Sequence, residues 1–126
     1  MNTSLAAINL REKFAKFTDH WNPRLVAELN GQHVRLVKFQ GEFTWHRHEN
    51  EDEMFLVIDG EFTMRLRAEQ GGDRVVRTGE FIVIPRGVEH CPCAPREVQV
   101  MLFEPADTLN TGDAVDSRTR RTLEAL

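Results

Sequence analysis

Turn-forming residues recur along this chain at short intervals, and that spacing constrains its fold more than any other feature. Asn30-Gly31, Gln40-Gly41-Glu42, Asp59-Gly60, Gln70-Gly71-Gly72-Asp73 and Thr78-Gly79-Glu80 separate short runs rich in Val, Leu, Ile and Phe. Such runs are too short for ordinary helices and have the length and composition of strands. Leu25–Leu29 and His33–Phe39 flank Asn30-Gly31, the strongest short hairpin signature, because both turn residues must tolerate positive φ. Phe43–His48, Glu53–Ile58, Glu61–Arg67, Val75–Arg77, Phe81–Ile84 and Val98–Phe103 supply further strands. Many short strands joined by tight turns fold into a sandwich or barrel, so the expected class is all-β.

Helical signals are confined to the two ends. Leu10, Phe14 and Phe17 are spaced for one short helix within residues 8–21, and Asn9 is placed to cap it. Asn22-Pro23 stops it. Residues 118–126 suggest a last turn of helix, reached through the surface connection Thr108–Gly112 in a short tail leading away from the barrel. The expected organisation is a single domain over 1–126 with its barrel at about 25–105, in keeping with 126 residues.

A net charge of −4 argues against a nucleic-acid partner. No run approaches the roughly 20 apolar residues of a membrane span. Met1–Ala6 lacks the charged and apolar regions of a signal peptide. A cytoplasmic location is therefore expected, with no nucleic-acid and no membrane partner. Cys91 and Cys93 stand too close together to staple distant elements and are read as thiols, either small apolar filling or a redox-sensitive lip to the site described next.

Trp45-His46-Arg47-His48-Glu49-Asn50-Glu51-Asp52-Glu53 concentrates metal-binding residue types. On a strand, His46 and His48 point the same way about 6.6 Å apart, close enough to converge on one ion. Glu53 opens the following strand, so a short acidic loop returns its carboxylate beside them. His90 follows Pro85-Arg86-Gly87, a turn able to aim it inward. Three imidazoles and one carboxylate suit a first-row divalent ion such as Fe, Mn, Ni or Zn, and a six-coordinate ion would keep positions open for a small molecule. Alternation places Thr44 on the ligand face and Phe43, Trp45 and Met54 opposite. Phe55 and Val57 share the parity of Glu53, and with Met64 and Thr44 they are the candidate pocket residues. His20 and His33 lie outside the constellation and are not expected to bind metal.

The spacing Gly41, His46, His48, Glu53, Gly60 followed by Gly79, Pro85, Gly87, His90 resembles the two motifs of the cupins, in particular small single-domain bacterial cupins often labelled mannose-6-phosphate isomerase-like. Two departures show: four residues rather than five separate Gly41 from His46, and Ala94 stands where the second motif ends in Asn. Neither is a ligand position. The resemblance implies a double-stranded β-helix (jelly-roll) barrel, a divalent metal cofactor on His46, His48, Glu53 and His90, and a homodimer in which a second copy or the N-terminal segment covers the outer apolar face. It also implies a metal-dependent enzyme acting on a small oxygenated organic molecule by isomerase, lyase or dioxygenase chemistry. The alternative is a non-catalytic binder or sensor of a sugar, metabolite or metal.

Overall fold

The computed structural model describes residues 5–126. Its eight strands are β1 (Arg24–Leu29), β2 (Gln32–Glu42), β3 (Glu53–Asp59), β4 (Glu61–Leu66), β5 (Arg74–Arg77), β6 (Phe81–Ile84), β7 (His90–Pro105) and β8 (Glu124–Ala125). One short helix, α1 (Leu10–Phe14), precedes them. The hairpin at Asn30-Gly31 forms with both residues at positive φ, 50° and 75°, and joins β1 to β2 in antiparallel register.

Strand β7 is the spine of the sheet. It pairs with β2 along nearly its whole length, with β4 through residues 90–93 and with β3 through residues 99–103. The strand order is β5-β4-β7-β2-β1-β8, with β3 bonded to both β6 and β7, and the sheet does not close on itself. This is an all-β jelly-roll arrangement. Among the described residues no helix is long and apolar enough to cross a membrane.

Alternation decides what is inside. Glu53, Phe55 and Val57 are buried on β3 and Phe62 and Met64 on β4, while their neighbours are less so. These side chains join Trp21, Val37, Phe39, Val98, Val100 and Leu102 in the main core. A second cluster lies on the outer face, where Phe14 and Phe17 pack on Val26 and Leu36. The N-terminal segment thus covers the apolar back of the sheet, each Phe contributing roughly 1.5–3 kcal/mol by burial. Asn9 caps α1, its side chain accepting from the Glu12 amide at 3.0 Å. The Lys38 ammonium reaches over Phe17 and donates to its carbonyl at 2.6 Å.

Four expectations are corrected. Gln40-Gly41-Glu42 is not a turn: β2 runs through it, and Gly41 (φ 88°) takes up a register shift that lets the strand follow the bent β7. Phe43–His48 is not a regular strand, since only His46 bridges, to His90. The last strand is not confined to Val98–Phe103 but runs from His90 to Pro105. Finally, residues 118–126 form no helix. The tail after β7 turns back across the barrel mouth, and β8 pairs in parallel with β1 at Arg24 and Leu25.

Candidate metal centre

His46, His48, Glu53 and His90 converge, with one ligand-type atom from each lying within 4.8 Å of all the others. Bonds of about 2.1 Å place opposite ligands about 4.2 Å apart, so the cluster is within a few tenths of an ångström of the size an ion requires. All four are buried, from 0% exposure at His90 to 4% at His48 and Glu53.

Their placement follows from backbone bonds. His46 and His90 exchange amide-to-carbonyl bonds at 3.0 and 2.8 Å, which sets their rings side by side, centroids 4.3 Å apart. The Gly87 amide donates to the His48 carbonyl at 2.8 Å, and the Arg86 amide donates to the Asp52 carboxylate at 2.8 Å. The Pro85-Arg86-Gly87 turn is thereby fastened to the acidic loop, and both bring their histidines to one point.

Ring tautomers are fixed as well. His46 Nδ1 lies 2.7 Å from the Thr44 carbonyl and His90 Nδ1 lies 2.9 Å from the Val88 carbonyl. A carbonyl only accepts, so each Nδ1 carries the proton and each Nε2 keeps a lone pair for ligation. His48 Nε2 approaches Glu53 Oε1 at 3.1 Å, yet both atoms, together with His90 Nε2, are buried without an aligned hydrogen-bond partner. Buried polar atoms are rarely left so. Several of them pointing at one spot fit a divalent ion.

The electrostatics agree. Burial, and then the neighbouring His90, lower the His46 pKa to about 4, leaving a neutral ring. Burial also acts to lower His48, but Glu53 beside it, with Glu51 and Asp113, outweighs this and raises it. Burial alone would raise Glu53. Contact with Glu104, His48 and His90 holds it well below the usual carboxylate range. Burial and the Glu53 charge push Glu104 well above that range.

Next to the cluster lies a cavity of about 30 Å³, room for little more than a water molecule. Trp21, Phe39, Phe43, Phe55 and Leu102 wall it, with His46, Glu53 and Asn110 as its polar groups. Trp21 stacks on Phe39 and on Phe43, centroids 4.5 and 4.7 Å apart. Its indole N–H donates to the Gln40 carbonyl at 2.9 Å.

Of the expected pocket residues, Phe55 lines this cavity. Val57 and Met64 are fully buried in the core and do not reach it. Thr44 turns away, its hydroxyl donating to Asp116 at 2.5 Å. Phe43, expected on the opposite face, packs edge-on against His46 instead. Parity fails here because the segment has no ladder partner except at His46. Trp45 does lie outside, under the guanidinium of Arg67 at 3.7 Å. Cys91 is fully buried, and burial raises its thiol to about 11. His20 pairs with Glu97 at 2.7 Å, while His33 is held at 3.2 Å from Arg35 rather than solvated. Neither joins the cluster.

Two parts of the site carried no local signal. The tail crosses the mouth at Gly112 and Asp113, the Asp113 amide donating to the Arg47 carbonyl at 3.1 Å and its carboxylate accepting from the Arg47 amide at 2.9 Å. Arg35 and Glu104, joined at 2.9 Å, stand behind Glu53. Only a basic and an acidic residue at apolar strand positions could have flagged them.

An open jelly roll whose buried histidines and glutamate gather beside one cavity defines a β-barrel protein with a cluster that could hold a metal ion. The chain matches the cupin domain family (Cupin_2) over residues 32–104 and belongs to it. It is 33% identical over 91 residues to the uncharacterized protein YdbB of Bacillus subtilis (strain 168), covering 71% of this chain and 73% of that one. Among solved structures it resembles a cupin-2 domain containing protein from Shewanella frigidimarina NCIMB 400, with 43% identity, TM-score 0.74, and coverage of 78% of this chain and 93% of the other. It also resembles protein NMB1881 from Neisseria meningitidis, with 28% identity, TM-score 0.72, and coverage of 80% and 100%.

Proposed function

We propose that this cupin is a metal-dependent enzyme acting on a small oxygenated organic molecule. The observation that carries the reading is the buried cluster of His46, His48, Glu53 and His90, with ligand atoms that lack hydrogen-bond partners, opening onto an aromatic-walled cavity. A divalent ion such as Fe, Mn, Ni or Zn held there would supply Lewis-acid polarisation or, for iron, dioxygen activation.

The protein's own share is to orient and to exclude water. Phe39, Phe43, Phe55 and Trp21 present flat apolar surfaces to a ligand, and Asn110 offers one amide. Among the described lining residues the only carboxylate is Glu53, which is committed to the cluster. Isomerase, lyase and dioxygenase chemistry all fit such a site, and the identity of the ion decides among them. The cavity holds little beyond water as it stands, and a ligand larger than that needs its walls, Asn110 of the tail among them, to move apart. The same small cavity favours a second reading, a binder that holds the metal or a small metabolite without converting it.

Elemental analysis of anaerobically purified protein tests the metal. About one ion per chain is expected, lost in the His46→Ala/His48→Ala double variant while its circular dichroism persists. A fully loaded double variant would refute the assignment. Oxygen consumption over a panel of phenols, keto acids and sugars then separates enzyme from binder, since no turnover of any member removes the enzymatic reading.

A further inference from the structure

Behind Glu53 lies a buried pair, Arg35 and Glu104, that the ligand set does not include. The β3–β7 register sets Met54 opposite Phe103, and therefore brings Glu53 beside Glu104. Both side chains are buried, and Glu53 Oε1 and Glu104 Oε2 are both without an aligned hydrogen-bond partner. On its far side Glu104 Oε1 accepts from Arg35 Nη1 at 2.9 Å. Arg35 is anchored in turn: it donates to the carbonyls of Thr108 at 2.9 Å and Ala106 at 3.0 Å, and through Nε to His33 Nδ1 at 3.2 Å. Glu104 is 1% exposed and Arg35 2%. A pair so deeply buried is a poor way to stabilise a fold, because an apolar pair of like volume avoids the desolvation penalty. Its position, one residue contact away from a ligand, gives it another use. A carboxylate that reaches an ion is held by partners on its other side, and those partners set its orientation.

We propose that Arg35 and Glu104 are positioning residues that hold the Glu53 carboxylate at the ligand point before an ion arrives. The chain of contacts runs from the backbone after β7, through Arg35 on β2 and Glu104 on β7, to Glu53 on β3. It rests on the metal reading above. If it is right, the pair sets metal affinity and adds little to the stability of the metal-free barrel.

The test titrates chelator-stripped protein with Zn²⁺ and, separately, Mn²⁺ by calorimetry. Arg35→Met/Glu104→Leu removes both polar partners together and leaves neither unpaired. It is expected to fold, with a melting temperature close to the unchanged protein, and to bind about 10–100-fold more weakly. Glu104→Gln keeps the length of the side chain and an acceptor for Arg35, and is expected to bind within about threefold of the unchanged protein. A folded double variant with unchanged affinity overturns the proposal. So does a Glu104→Gln protein as weak as the double variant. Should the double variant not fold, crystal structures of the unchanged protein decide. Glu53 is expected in the same rotamer without metal and with Zn²⁺, and a Glu53 that swings away in the metal-free crystal while Arg35 and Glu104 stay paired overturns the idea. An unchanged protein that takes up no ion removes the metal reading and this one together, whereas full uptake by both proteins removes only this one.

Discussion

Replacing Gly112 by Ala should loosen the tail that crosses the barrel mouth while leaving the barrel folded. Gly112 has φ 55°. A Cβ there would overlap the Arg47 carbonyl oxygen, lie 2.9 Å from the Arg47 carbonyl carbon and 3.1 Å from Cδ2 of His46. Two of these atoms are backbone and cannot rotate aside, so the tail must withdraw. Withdrawal breaks the two Arg47–Asp113 bonds and the Thr44–Asp116 bond. At about 1 kcal/mol each, and with about 1 kcal/mol more for a side chain at left-handed φ, the closed tail loses on the order of 3–4 kcal/mol. Each 1.4 kcal/mol is tenfold in an equilibrium constant, so amides exchanging by local opening should exchange about 100–1,000-fold faster. Hydrogen exchange read by mass spectrometry on peptides covering 108–120 makes the measurement, with peptides from β7 as the internal control. If the Gly112→Ala tail exchanges within threefold of the unchanged protein, the tail does not rest on this contact and the reasoning fails.

Metal affinity should fall with acid, and the ligand environments give the window. His46, with a pKa of about 4, is already neutral at pH 5 and above. His48 is raised above 6.5 and must shed a proton to ligate, so affinity should drop roughly tenfold per pH unit below 6.5. Equal affinity at pH 8 and 5 would contradict this. In the metal-free protein the His48 shift has the opposite consequence, adding stability that is complete below pH 6.5 and lost as pH rises through the folded value. Trp21→Ala removes a side chain 7% exposed and stacked between two Phe rings. It should cost about 3 kcal/mol, a fall of about 10 °C in Tm, and a Tm within 2 °C would show that the stack is not structural. We further propose that a second copy covers the outer edge of β6, where Phe81 is 61% and Val83 49% exposed. Light scattering should give twice 14.5 kDa, and Phe81→Lys/Val83→Lys should give the single-chain mass. A monomer at tens of micromolar would refute the pairing.

What the sequence determined by itself is local. Asn30-Gly31 turns because those residues accept positive φ. Asn9 caps because its side chain reaches the Glu12 amide. Glu53, Phe55 and Val57 point inward because a paired strand has a period of two. His46, His48, Glu53 and His90 were marked by the two-motif spacing that resembles the cupins, not by strand period, since 43–48 is not a regular strand. Where pairing lapsed, so did the inference, and Thr44 and Phe43 exchanged faces. The tertiary structure alone decided the rest. Trp21 enters the cavity wall because its amide bonds to Lys38. Asp113 closes over Arg47, 66 residues away in sequence. Glu104 meets Arg35 across 69 residues and Glu53 through the β3–β7 register. A register between strands is settled by the packing of the whole core, and no short stretch of sequence carries it.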